Sequence, residues 1–78
     1  MIIEIITPTS SLFSGNIKQV NLPGSNGSFE LLENHAPIIS TLQKGKIVLI
    51  DENGSRKEFE VNGGVVEQSS NKVIVLIE

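Results

Sequence analysis

His35 is the only histidine of the chain, and it stands in the run Asn34-His35-Ala36-Pro37. An imidazole titrates near neutral pH and can act as general base, proton shuttle or metal ligand. Each role needs a second group, and no candidate ligand or nucleophile stands beside it. Pro37 restricts Ala36 to extended geometry, so the motif reads as a loop with a hydrogen-bonded, positioning histidine. Direct contact of His35 with a partner is the other reading. The carboxylates closest in sequence are Glu30 with Glu33, and Glu58 with Glu60. Acid–base catalysis requires a sheltered cleft that drives two pKa values apart, which water-facing hairpin or loop carboxylates lack. Gly63-Gly64 has the composition of a phosphate-cradling nest. No Lys-Ser/Thr follows it and no helix begins there, so a bulge or tight bend is the better reading. No catalytic, cofactor-binding or metal site is expected.

The elements that carry these residues must be short. The chain has 78 residues, enough for one domain, and a domain of that size buries only about 60% of its unfolded surface. It lacks cysteine, so disulfides and thiolate metal sites are excluded, and extra stability is expected from a binding partner. Net charge is −3, the six basic residues are scattered, and Tyr and Trp are missing. Nucleic acid is therefore not an expected partner. The longest apolar run, Val73 to Ile77, falls far short of the roughly 20 residues that cross a bilayer. No signal peptide precedes the first strand-like segment, and the chain reads as soluble and intracellular.

Apolar residues fall in short β-branched runs between Gly, Pro, Asn and Ser, the pattern of strands in a sandwich. Strands are expected near Ile2–Ile6, Asn16–Leu22, Ser28–Leu32, Ile38–Leu42, Lys46–Asp51, Lys57–Asn62, Val65–Gln68 and Lys72–Ile77. No segment has helical periodicity. Around Asp51-Glu52-Asn53-Gly54-Ser55 two hairpin readings compete. A two-residue Asn53-Gly54 loop pairs Val48 with Phe59. A three-residue loop with Gly54 left-handed pairs Ile47 with Phe59 and Leu49 with Lys57. The second gathers Ile47, Leu49, Phe59 and Val61 on one face and is preferred, with Phe59 expected in the core. Ile47 to Ile50 and Val73 to Ile77 are apolar on both faces, which implies cover from two sides. The second cover is either another polypeptide or an overlying loop.

An ordered series of motifs carries a family character. It runs Ile5-Ile6-Thr7-Pro8, Leu12-Phe13-Ser14-Gly15, Val20-Asn21-Leu22-Pro23-Gly24, Gly27-Ser28-Phe29 and Asn34-His35-Ala36-Pro37-Ile38-Ile39-Ser40. Lys44-Gly45, Val61-Asn62-Gly63-Gly64-Val65-Val66-Glu67 and Asn71-Lys72-Val73-Ile74-Val75-Leu76 complete it. The set resembles the N-terminal domain of the epsilon subunit of rotary F-type ATP synthase (delta in mitochondria) across residues 1–78. The resemblance implies an all-β fold, a small flattened antiparallel β-sandwich of about 8–10 short strands. It implies a non-catalytic subunit of the central stalk, part of the rotor, with the gamma subunit and the membrane c-ring as partners. Such a subunit supports the coupling of proton flow to ATP synthesis, from the cytoplasmic side of the bacterial inner membrane and without inserting into it. Candidates for c-ring contact are the loop Ser25, Asn26, Gly27 and Ser28, and the segment with Glu30, Glu33, Asn34 and His35. Gamma contact is expected on exposed apolar faces whose residues the sequence does not specify.

Family members commonly have Gly where Glu30 stands and Pro where Glu33 stands, so the ring-contact loop departs from its usual composition. The family's C-terminal two-helix arm is absent from these residues, and its inhibitory and ATP-binding roles are not carried over. A biotinyl- or lipoyl-type carrier domain is the alternative, being also a small acidic β-sandwich. It presents its lysine at a hairpin tip, whereas the tip here is Glu52-Asn53-Gly54, with Lys57 down the strand.

Overall fold

The computed structural model describes residues 1–78, and every regular element in it is a strand. In chain order these are β1 (Ile2–Ile6), β2 (Ser11–Gly24), β3 (Gly27–Leu32), β4 (Ile38–Leu42), β5 (Gly45–Asp51), β6 (Arg56–Val61), β7 (Gly64–Ser69) and β8 (Lys72–Ile77). All eight expected strands are present. The largest difference is β2, which begins five residues earlier than Asn16 and runs two residues past Leu22.

That length lets β2 serve both layers. Its first half pairs with β1, which runs parallel to β8, and the sheet continues through β7 to β4. Its second half pairs with β3 on one side and β5 on the other, with β6 beyond. Between the halves, Ile17 faces Asp51 and Gln19 faces Ile50, so Lys18 is the extra residue of a bulge. A bulge shifts the inward phase by one residue and increases twist. Accordingly Phe13, Gly15 and Ile17 turn inward before it, and Val20 and Leu22 after it. Strict alternation along the sequence would have put one half of this strand inside out.

The core between the layers is aliphatic. Ile3 and Ile5 (β1), Ile17, Val20 and Leu22 (β2), Leu31 (β3), Ile47 and Leu49 (β5), Val66 (β7), and Val73 and Val75 (β8) are buried. The β5–β6 register pairs Ile47 with Phe59 and Leu49 with Lys57, the three-residue-loop arrangement. Gly54 lies at φ +84°, and the Asp51 carboxylate accepts from the Asn53 and Ser55 amides at 2.9 Å each. An Asx-type side chain thus completes a turn whose left-handed position only Gly fills without strain. Lys57 sits within β6 opposite Leu49, away from the hairpin tip, so the geometry offers nothing that a carrier domain's lysine requires.

Phe59 is on the expected face but only half-buried, packed against the core's edge and tilted 56° to Phe13 with ring centroids 6.1 Å apart. Its expected place in the core is corrected to the rim, because β6 is the free edge of its layer and no further strand flanks the ring. Phe59→Ala should therefore cost about 2–3 kcal/mol, below the range of fully buried phenylalanines. Urea unfolding should show a lower midpoint with an unchanged m value. A midpoint equal to the parent's would mean the ring packs on nothing.

Candidate interaction surfaces

The outer face of the first layer is where the apolar second face emerges. Leu76 lies between Ile6 of β1 and Val65 of β7, and Ile74 between Glu4 and Glu67. On β4, Ile39 flanks Glu67 and is 74% exposed, while Leu76 is 50% exposed and Val65 40%. Leu12 and Ile2 are exposed on the same side. The result is an apolar field carried mainly by β8 and β7, with Glu4 and Glu67 set into it. The outward side chains of Val65 and Leu76 are thus exposed in the chain as it stands, while Ile74, between the two glutamates, is half-buried. Contiguous exposed apolar fields are characteristic of interaction surfaces in general.

The outer face of the second layer is different. Ile50 faces Arg56, and Val48 faces Glu58, across β5–β6. Arg56 and Glu58 form an ion pair at 2.6 Å, and Lys46 reaches Glu58 at 3.5 Å. Val48 and Ile50 are half-buried beside these charged cross-strand neighbours.

Strand β3 is the far edge of that layer, and the ring-contact candidates are strung along it. Leu31 is buried and Phe29 packs against the core, which sends Ser28, Glu30 and Leu32 outward as period-two alternation requires. The two candidate segments are not brought together. Ser25, Asn26, Gly27 and Ser28 sit at the end of the β2–β3 hairpin, where the Thr41 hydroxyl donates to Ser25 Oγ at 2.9 Å. Glu33, Asn34 and His35 sit at the other end of β3, about 20 Å away for a six-residue strand. Together they describe a polar strip, with Glu30 between its ends.

At the far end of the strip the residues are held in place. Glu33 Oε1 accepts from the Met1 ammonium at 3.0 Å, so this carboxylate fastens β1 as well as facing solvent. Glu30 is freer, with one long contact from Gln19 Nε2 at 3.4 Å. The His35 amide donates to the Leu32 carbonyl at 3.2 Å, and its Nδ1 lies 2.8 Å from the Ala36 carbonyl oxygen. The imidazole thus contacts its own loop while remaining exposed. Two contributors were missed from sequence, Gln68 and Asn71. Gln68 stands in a strand that reads as alternating, and a polar residue at an inward position was the available signal.

The chain is thus a small all-β domain with an exposed apolar outer face and a polar edge strip. The family described as "ATP synthase, Delta/Epsilon chain, beta-sandwich domain" matches residues 1–78, and the chain belongs to it. It is 42% identical to the ATP synthase epsilon chain of Chlorobaculum tepidum over 97% of its length and 86% of that relative's. It is 37% identical to the epsilon chain of Sulfurovum over its full length, spanning 61% of that relative. Among solved structures, it superposes on a chain of Euglena gracilis mitochondrial ATP synthase (OSCP/F1/c-ring) with a TM-score of 0.92. That match has 14% identity and covers 99% of this chain and 49% of the other. A chain of the Tetrahymena thermophila mitochondrial ATP synthase central stalk/c-ring gives a TM-score of 0.80 at 14% identity, covering 97% and 61%. At that identity these likenesses establish the fold.

Proposed function

We propose that this sandwich is the stalk-to-ring coupling piece of a proton-translocating ATP synthase rotor, a structural subunit with no chemistry of its own. Its apolar outer face takes the gamma subunit, and the polar strip along β3 takes the water-facing loops of the c-ring. The enzyme then holds it peripherally on the cytoplasmic side of the bacterial inner membrane. The observation that carries this reading is the division of the surface into two unlike parts. A permanent interface is apolar and resembles a domain core cut in half, which suits the β8–β7 field. A contact with polar loops needs charged and hydrogen-bonding groups, which the strip supplies in Glu30, Glu33, Asn34 and His35.

Exposed charges at an interface rim steer encounter and set register, each contributing under about 1 kcal/mol. Glu30 is the residue with which to test this, since Glu33 also ties down the N-terminus. Glu30→Lys should leave the melting temperature of the isolated domain unchanged. It should weaken docking onto a ring-containing motor, more at low than at high ionic strength because salt screens the pair. Equal affinity of parent and variant at low salt would contradict the assignment of this strip to the ring.

A further inference from the structure

The loop after β3 is clasped by side chains from the opposite layer. Gln68 is the only buried polar side chain of the protein, 1% exposed, on the inward face of β7 next to Val66. Its amide orientation follows from its surroundings: the nitrogen faces two carbonyl oxygens, Ala36 at 2.9 Å and His35 at 3.2 Å. Three residues on, Asn71 sits in the β7–β8 turn with φ +60°, and Asn34 mirrors it in its own loop with φ +62°. Asn71 Oδ1 accepts from the Asn34 amide at 2.8 Å, and Asn71 Nδ2 donates to Asn34 Oδ1 at 3.3 Å. The Asn71 backbone carbonyl also accepts from the Ile2 amide at 3.0 Å.

We infer that Gln68 and Asn71 are positioning residues that fasten the 33–37 loop to the β7–β8 hairpin. A buried amide is retained in an otherwise aliphatic core only where its hydrogen bonds are made, because an unmade one costs the full desolvation of the group. Here both donors of the Gln68 amide are directed to backbone carbonyls of one loop, one position apart. They fix the path of that loop, while the Asn34–Asn71 pair fixes its other end. The hairpin that provides this clasp also carries Val65, Ile74 and Leu76 on its outer side. The loop's orientation is thereby set relative to the apolar face. The consequence for docking rests on the proposed function, since it takes this loop to be a ring contact.

The test uses three variants of the intact chain, read by amide hydrogen exchange and by docking to a ring-containing motor. Gln68→Met conserves volume and removes both donors. Asn71→Gly keeps the left-handed backbone conformation and removes the side-chain pair. Asn71→Asp keeps the acceptor for the Asn34 amide. Gln68→Met and Asn71→Gly should retain the all-β spectrum, and Asn71→Gly should speed exchange of the Asn34 amide about tenfold, the loss of one hydrogen bond. Asn71→Asp should restore most of the protection, which a purely structural turn residue would have no reason to do. In the parent, the Gln68 side-chain amide protons should themselves exchange slowly. Unchanged Asn34 exchange in Asn71→Gly, or fast-exchanging Gln68 amide protons, would overturn the clasp. Faster exchange with undiminished docking would support the clasp and count against this loop as a ring contact.

Discussion

Gly64→Ala should leave the protein largely unfolded. Gly64 opens β7 at φ +156°, and a Cβ built there meets the backbone of β8. It would overlie the Leu76 carbonyl oxygen and lie 3.1 Å from its carbon and 3.2 Å from Ile77 Cα. None of these atoms can yield, because they belong to the β7–β8 ladder in which Gly64 faces Ile77. Backbone strain at such a φ and overpacking cost about 1–3 kcal/mol each. Their sum approaches the whole stability of a small domain, roughly 0.05–0.15 kcal/mol per residue. The expected result is loss of the cooperative thermal transition. A melting temperature within a few degrees of the parent's would show that β7 and β8 separate here at little cost.

The second large effect is expected in assembly, with folding untouched. Val65 and Leu76 face each other across β7–β8 on the exposed apolar side. Changing them together to Val65→Lys and Leu76→Glu places opposite charges in a direct cross-strand pair, an arrangement that sheets tolerate. In the complex the same two groups would be desolvated against an apolar partner. Central residues of an interface contribute about 2–4 kcal/mol each, so binding to the stalk should weaken at least several-hundred-fold. The isolated variant should melt close to the parent. Undiminished binding would move the stalk contact to another face.

Much of this architecture is legible in the chain. The eight strands show because Gly, Pro, Asn and Ser clusters separate β-branched runs. The hairpin register is recoverable because only one loop length places Ile47, Leu49, Phe59 and Val61 together, and Gly54 supplies the left-handed residue it needs. The bulge at Lys18 is not legible. Two alternating segments of opposite phase abut there, and neither phase is wrong locally. The clasp is only half legible, since Gln68 at an inward strand position signals a buried amide but not which loop carbonyls it meets.

The candidate site is legible as composition and only partly as geometry. Ser25–Ser28 and Glu33–His35 are close in sequence, yet β3 holds them at its two ends, because an extended strand separates what a loop would gather. Glu33 reads as a free loop carboxylate, and the fold gives it the Met1 ammonium as a partner. The apolar field needs the sheet order to appear at all. Ile6, Ile39, Val65 and Leu76 come from four strands, and only the β1–β8–β7–β4 order makes them neighbours.

If this sandwich is a stalk subunit gripped through its apolar outer face, purified domain mixed with the gamma subunit of the same enzyme should bind it through that face. Size-exclusion chromatography with light scattering should show a one-to-one complex. Hydrogen exchange within it should be slowed at Val65, Ile74 and Leu76 and unchanged along β6. Separate elution of the two proteins at micromolar concentration, or protection on β6 with the β8–β7 face still exchanging freely, would mean that gamma does not grip this face.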